Sequence, residues 1–106
     1  MRDECRIAIV GVEPIFRDGV VQTLSCDQGF VVAAQGTTGQ DAEHLAGEHG
    51  LDVLLLEAAV PGSLAAARNI LSIHQNVKVI FFASGEDEEH ASEALQIGVH
   101  GYMLKT

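Results

Sequence analysis

The segment Val53-Leu-Leu-Leu56 is apolar at four successive positions and shows no alternation of apolar and polar side chains. Such a run predicts a strand that is buried on both faces, as in the centre of a parallel sheet. Shorter β-branched runs recur along the chain and predict four further strands, at Arg6–Val10, Phe30–Ala34, Val77–Phe82 and Gly101–Leu104. These runs together predict a sheet of five strands.

Helical periodicity follows the first two predicted strands. The first predicted helix opens with Pro14, a residue suited to the first helical position. The second is predicted to start at Thr38, with Asp41 three residues on in the capping-box position, and to stop at Gly50.

Two further helices are predicted in the second half of the chain. The third covers about Leu64–Ile73, and the fourth is predicted to be capped by Ser84, with Asp87 in the box position, and to end at Gly98. Strands and helices that alternate in this way predict an α/β domain with a parallel sheet, because a parallel strand returns through a right-handed helical crossover.

Composition limits the functions that this domain could have. The chain has 106 residues, 47% of them hydrophobic and 20% charged, which is the size and balance of one globular domain. Its net charge of −9 opposes nucleic-acid binding by the domain itself, because that binding depends on Lys and Arg. Cys5 and Cys26 have no metal-ligand or redox spacing, and no signal peptide or membrane-length apolar run is present. We therefore expect a cytoplasmic protein without membrane contact.

The candidate site lies at the carboxyl ends of the predicted strands, where open α/β sheets bind their ligands. The residues at these ends are Gly11, Val12 and Glu13 after the first strand, Glu57 after the third, Phe82, Ala83 and Ser84 at the fourth, and Lys105 after the fifth. Two opposite charges, those of Glu57 and Lys105, are thus predicted to meet at one site.

Four segments at these strand ends resemble the receiver domains of two-component response regulators, most closely the NarL/FixJ-like regulators. They are Ile9-Val-Gly-Val-Glu-Pro-Ile-Phe-Arg-Asp-Gly19, Asp52-Val-Leu-Leu-Leu-Glu-Ala-Ala-Val-Pro-Gly62, Val77-Lys-Val-Ile-Phe-Phe-Ala-Ser84 and Gly98-Val-His-Gly-Tyr-Met-Leu-Lys105. The resemblance covers residues 1–106. It implies a flavodoxin-like fold with strand order 2-1-3-4-5 and helices on both faces of the sheet.

The resemblance also implies a phosphorylation site from which this chain departs. In that family an acidic pair after the first strand binds a divalent cation, and an Asp after the third strand accepts a phosphoryl group. A Ser or Thr after the fourth strand and a Lys after the fifth then bind the phosphoryl oxygens. The corresponding residues here are Gly11 and Val12 for the acidic pair, Glu57 for the phosphoacceptor, Phe82, followed by Ala83, for the hydroxyl, and Lys105 for the lysine, with Tyr102 at the aromatic position that changes rotamer.

These departures predict that magnesium binds weakly or not at all and that no other cofactor is needed. Gly11 and Val12 offer no side-chain oxygen to a hard cation, and Glu13 supplies at most one carboxylate. Glu57 has a carboxylate one methylene longer than that of Asp, so it imitates part of the charge of a phosphorylated Asp. No catalytic or metal-binding residue is assigned, and we expect the chain not to be an enzyme.

The resulting hypothesis is an atypical receiver that acts in signal transduction through protein contacts. A protein partner or a second copy would bind the face of the fourth helix and fifth strand, through Ala91, Leu95 and the strand of Tyr102. An upstream histidine kinase and a downstream DNA-binding domain are the partners that the resemblance implies. Four predicted helices cover five strands, which leaves one face of the sheet thinly covered. We expect either a final helix that is absent from this chain and present in a longer transcriptional regulator, or a second subunit that covers the gap.

Two alternatives stay open at this point. The chain could still accept phosphoryl groups on another carboxylate, or it could be an unrelated flavodoxin-like binding domain. Glu57 and Lys105 could also form an ion pair whose role is only structural.

Overall fold

The computed structural model describes residues 4–48, 50–85 and 88–105. Its strands are β1 (Cys5–Val10), β2 (Phe30–Gly36), β3 (Val53–Glu57), β4 (Lys78–Ala83) and β5 (Gly101–Leu104), and its helices are α1 (Pro14–Ser25), α2 (Gly39–Ala46), α3 (Ser63–Ile73) and α4 (Glu88–Ile97). The five strands form one sheet in the order β2-β1-β3-β4-β5. Each neighbouring pair is parallel, which confirms the predicted flavodoxin-like topology.

The strand β3 lies at the centre of the sheet, between β1 and β4. Leu54 and Leu56 are fully buried on one face, and Leu55 is buried on the other. The continuous apolar run at residues 53–56 is explained by its position, because helices cover both faces of this strand.

The two faces of the sheet are covered unequally. The larger core cluster joins Leu54, Leu56 and Phe81 to buried residues of α2, α3 and α4. The smaller cluster joins Ile9 and Leu55 to partly buried residues of α1. Within the described part of the chain, α1 is thus the one helix that packs on its face, and the predicted thin covering of one face is confirmed.

The second helix ends earlier than predicted. It stops at Ala46 rather than at Gly50, because the backbone N–H groups of Gly47 and Glu48 turn back to the carbonyls of His44 and Leu45. Its start is confirmed, since Thr38 and Asp41 form the predicted reciprocal capping box.

The other boundaries shift by one or two residues. The strands β2 and β3 extend to Gly36 and Glu57, and β4 starts and ends one residue later than predicted. Gly62, with a φ of 76°, precedes the start of α3, and Gly98, with a φ of 97°, follows α4 where the sequence predicted its end. The predicted capping box of α4 involves Asp87, which lies outside the described residues.

The helices are short. The longest that the structure describes is α1, with 12 residues. None of the described helices combines the length and the apolar character that crossing a membrane requires.

Candidate functional site

Glu57 is the last residue of β3 and the one buried carboxylate among the described core residues, with 1% of its surface exposed. Its side chain points to the α1 face of the sheet, as does that of Leu55 two residues earlier. The backbone N–H of Val12 donates a hydrogen bond of 2.6 Å to its Oε1 atom. The loop after β1 therefore fixes one of the two carboxylate oxygens.

Lys105 binds the second oxygen of this carboxylate. Its Nζ donates to Glu57 Oε2 and, at 2.5 Å, to Glu13 Oε1. The ammonium also lies 4.2 Å from the centroid of the Phe16 ring, and only 11% of the lysine side chain is exposed. The structure thus brings the two predicted charges together and adds Glu13, so that one cation contacts two carboxylates.

The charges of this cluster shift the ionisation of its members. The pKa of Glu13 is lowered, first by its hydrogen bond to Lys105 and then by the interaction with Glu57 and the lysine charge. Burial acts to lower the pKa of Lys105, but the hydrogen bonds to Glu13 and Glu57 outweigh it and raise that pKa above its ordinary value. Both pKa shifts favour the charged forms, so the ionised Glu13 carboxylate and the Lys105 ammonium stabilise each other.

Gly11 lies directly beside the Glu57 carboxylate. A Cβ atom at position 11 would stand 2.9 Å from Glu57 Oε1, closer than van der Waals contact allows. The Cγ of Arg17 in α1 would lie 3.5 Å from the same Cβ, and the Arg17 guanidinium donates a hydrogen bond of 3.4 Å to the Gly11 carbonyl. The absence of a side chain at position 11 therefore leaves the space that the longer glutamate occupies.

Phe82 and Ala83, the two candidates at the end of β4, point to opposite faces of the sheet. Phe82 packs edge-to-face on Phe16 of α1, with ring centroids 5.4 Å apart. Ala83 faces the other side and lines a small cavity together with Ala58, Ser84 and Tyr102. Of the two residues, only Ala83 shares a cavity with Tyr102.

Tyr102 is half-buried and packs against the larger core cluster rather than extending into solvent. Its hydroxyl lies 3.1 Å from His90 Nδ1, and His90 Nε2 lies 3.5 Å from the buried Ser63 hydroxyl. Sequence reasoning missed His90 and Ser63, because no spacing signal links residues on α3, α4 and β5. It also missed Arg17, which carries no motif of its own.

The described residues contain no group of three or more His, Cys, Asp or Glu side chains that could hold a metal ion. Of the described residues at the ends of β1, β3, β4 and β5, Glu13 and Glu57 offer carboxylates, and Lys105 contacts both. Val12 stands with 42% of its surface exposed and offers no ligand atom in its side chain.

Residues 7–106 match the family described as the response regulator receiver domain. The chain is 30% identical over 105 residues to the transcriptional regulatory protein DegU of Brevibacillus brevis, a match that covers 97% of this chain and 44% of DegU. It is 29% identical over 102 residues to the response regulator GacA of Pseudomonas aeruginosa, with 94% of this chain and 48% of GacA covered. The chain therefore spans about half the length of these curated relatives.

Solved structures show the same fold. The signal receiver domain of NarL from Mycobacterium tuberculosis superposes with a TM-score of 0.90 at 28% identity, covering 97% of this chain and 85% of that one. A DNA-binding response regulator of the LuxR family from Staphylococcus aureus gives a TM-score of 0.87 at 26% identity, with 95% and 86% covered.

Proposed function

The chain belongs to the response regulator receiver domain family, and we propose that it is an atypical receiver whose acceptor site holds a permanent ion cluster instead of taking up a phosphoryl group. It acts in signal transduction through protein contacts. The family match over residues 7–106 excludes an unrelated flavodoxin-like binding domain.

One observation carries this proposal: both oxygens of the Glu57 carboxylate already have partners. Oε1 accepts from Val12 N–H and Oε2 from the Lys105 ammonium. Each oxygen still carries a further lone pair, so attack on phosphorus depends on whether a phosphoryl donor can reach the carboxylate from solvent. Glu57 is 1% exposed and is held by two donors, so it is a poor nucleophile.

The same geometry supports the weak or absent magnesium binding that the sequence predicts. Mg²⁺ needs near-octahedral oxygen coordination and is usually held by carboxylates with water completing the shell. Here Gly11 and Val12 supply no side-chain oxygen, and Lys105 holds the carboxylates of Glu13 and Glu57. A divalent cation would have to displace the lysine to reach these carboxylates.

We further propose that Ala83, rather than Phe82, stands at the position of the family's hydroxyl residue. Ala83 faces the cavity that Tyr102 lines, whereas Phe82 packs on Phe16 across the sheet. A methyl group cannot donate a hydrogen bond to a phosphoryl oxygen. Neither Phe82 nor Ala83 has a hydroxyl. With either assignment, the hydrogen bond that would connect the acceptor site to Tyr102 is missing.

The output of the domain is then a contact with another protein. The relatives DegU and GacA are named as a transcriptional regulatory protein and a response regulator, and each is about twice the length of this chain. We propose that the full protein regulates transcription through a DNA-binding domain outside this chain. An upstream histidine kinase would recognise the domain without transferring phosphate to Glu57.

Incubation with acetyl phosphate and Mg²⁺, followed by intact mass measurement, tests the proposal. We expect no added phosphoryl mass on this chain. A receiver domain that carries the family's acidic pair and acceptor Asp, treated in parallel, is the positive control. Beryllofluoride with Mg²⁺ should likewise leave the emission of Tyr102 unchanged. Stoichiometric phosphorylation of Glu57 would overturn the proposal.

A phosphoryl acceptor other than Glu57 is the second candidate. Glu13 is the acidic residue that favours it, because its side chain is 60% exposed at the same strand ends. Peptide mapping of any phosphorylated product distinguishes the two, since phosphate on Glu13 would restore a phosphorylation function at a different residue.

A further inference from the structure

We propose that His90 is a positioning residue that holds Tyr102 against the sheet and connects it, through Ser63, to the loop that follows Glu57. The inference deepens the proposed function, because it supplies a path between the acceptor site and the α4–β5 face that needs no hydroxyl at the end of β4.

Three rings on two elements of the sheet and on α4 form a compact cluster. Phe81 is fully buried in β4, and its ring centroid lies 5.4 Å from that of His90 and 5.9 Å from that of Tyr102, both in edge-to-face geometry. The centroids of His90 and Tyr102 are 5.9 Å apart. Each ring is therefore in contact with the other two, and the rings of His90 and Tyr102 both pack on the buried Phe81.

The direction of the hydrogen bonds follows from the donors available. The Ser63 hydroxyl donates its single proton to the Ala58 carbonyl at 3.0 Å, so towards His90 its oxygen acts as an acceptor. His90 Nε2–H is then the donor in the 3.5 Å contact with Ser63, the longest of the series. In the neutral ring Nδ1 is left as an acceptor, and it receives the Tyr102 hydroxyl proton at 3.1 Å.

The result is a directional series from Tyr102 to His90, Ser63 and the Ala58 carbonyl. Ala58 follows Glu57 directly, and its N–H donates to the Phe82 carbonyl at 2.7 Å, so the loop is tied to β4. A displacement of this loop changes the position of the Ser63 acceptor, and the imidazole transmits that change to the tyrosine. Hydrogen bonds in such a series polarise one another, so loss of one weakens the next.

The composition of the chain allows a direct test. Tyr102 is the only tyrosine and there is no tryptophan, so intrinsic emission and its quenching by acrylamide report on this side chain alone. In H90A we expect the ratio of inward to outward Tyr102 to fall about fivefold, the effect of one lost hydrogen bond of ordinary net strength, and quenching to rise accordingly. H44A, which removes an exposed histidine on α2, is the control and should leave quenching unchanged.

Two conservative variants separate positioning from general packing. An Asn amide occupies the place of Nδ1 and a Gln amide that of Nε2. We therefore expect H90N to retain the protected tyrosine and H90Q to lose it, although Gln is the closer match in volume. Equal behaviour of H90N and H90Q would overturn the assignment, and this comparison remains decisive even if H90A fails to fold.

The Ser63 step has its own matched pair. S63A removes the acceptor for His90 without touching Tyr102, whereas S84A makes the same change in the wall of the Tyr102 cavity. We expect quenching to rise in S63A and to stay unchanged in S84A. Equal quenching in S63A and the parent chain would overturn the connection to the loop. None of these readouts uses phosphate or metal, so a chain that proves to be phosphorylated could still show them, and the two proposals fail independently.

Discussion

Gly11 and Glu57 fit each other: the backbone of the one passes so close to the carboxylate of the other that a Cβ at position 11 would stand 2.9 Å from Oε1. The carboxylate is buried and held by Val12 N–H, so it has little freedom to move away. The glycine after β1 and the glutamate that ends β3 therefore act as one structural unit, although Val12 and its acceptor are 45 positions apart in the sequence.

G11A should destabilise the domain by about 1 to 2 kcal/mol, the usual cost of overpacking a filled site. Combined with E57D, whose carboxylate is withdrawn by one methylene, the same change should cost less than it does alone, and denaturant unfolding of the four proteins measures this coupling. G19A is the control, because position 19 of α1 has open space and the alanine should stabilise the helix by about 0.5 to 1 kcal/mol. Strict additivity of G11A and E57D would contradict the paired fit.

Removal of the lysine should be more damaging than its position near the end of the described chain suggests. K105M leaves the Glu57 charge buried without its cation, and we expect a loss of about 3 kcal/mol in the free energy of unfolding. K105M/E57Q removes both charges and should recover most of that loss. A double variant no more stable than K105M would show that the ion pair does not account for the effect.

The pKa shifts predict losses of stability at both extremes of pH. Glu13, whose pKa is lowered from 4.5, contributes stability above that value, and the contribution is lost as the pH falls through the lower folded pKa. Lys105, whose pKa is raised from 10.5, contributes fully below that value and loses its contribution as the pH rises through the higher folded pKa.

Melting temperatures of E13Q and the parent chain, measured across acid pH, should converge at the lowest pH. D41N is the comparison on α2, where the backbone N–H groups of Thr37 and Thr38 lower the pKa of the Asp41 carboxyl. A constant difference between E13Q and the parent at all pH values would contradict the role of the Glu13 carboxylate.

Glu57→Asp alone should not restore phosphorylation, because it leaves positions 11 and 12 without carboxylates and Ala83 without a hydroxyl. Adding G11D, V12D and A83S to E57D supplies the missing cation ligands and the hydroxyl that donates a hydrogen bond to a phosphoryl oxygen. This variant should gain phosphoryl mass from acetyl phosphate in the presence of Mg²⁺. Titration of this variant with Mg²⁺, followed by the emission of Tyr102, measures whether the added carboxylates bind the cation. Phosphorylation of the single E57D variant would show that the lost acidic pair is not limiting.

The proposed partner face predicts a change in association rather than in stability. Leu95 of α4 is 59% exposed, and Leu104 of β5, which points to the same side of the sheet as Tyr102, is 53% exposed. We expect the chain to self-associate through this face, with L95E shifting it to monomers in sedimentation experiments. I73E, at a comparably exposed apolar residue of α3, should leave the association unchanged. Equal effects of the two variants would point to non-specific apolar contact.

Much of the fold could be predicted because local signals agreed with one another. Pro14 marks the start of α1, Thr38 and Asp41 cap α2, and Gly98 ends α4, and each acts through backbone geometry that neighbouring residues largely determine. The end of α2 was predicted wrongly, because Gly50 is as good a stop signal as Gly47, and the choice depends on how the last turn meets the following loop.

For the site, strand order brought Glu57 and Lys105 to one edge, and this much follows from reading the strand ends. The roles of Gly11, His90 and Ser63 could not be predicted in the same way. A missing Cβ matters only when the opposing carboxylate is known to be near, and a hydrogen-bond series across α3, α4 and β5 has no period in the sequence.

The sequence by itself thus determined the elements, their parallel arrangement and the edge of the sheet at which charge accumulates, because hydrophobic periodicity and capping are encoded locally. Only the tertiary structure decided which atoms meet there: Lys105 between Glu13 and Glu57, Phe82 on the α1 face, and Tyr102 on His90. Side-chain contacts depend on the face to which each strand position points and on distances of a few tenths of an ångström. Both are set when the sheet and its helices pack together, far from one another along the chain.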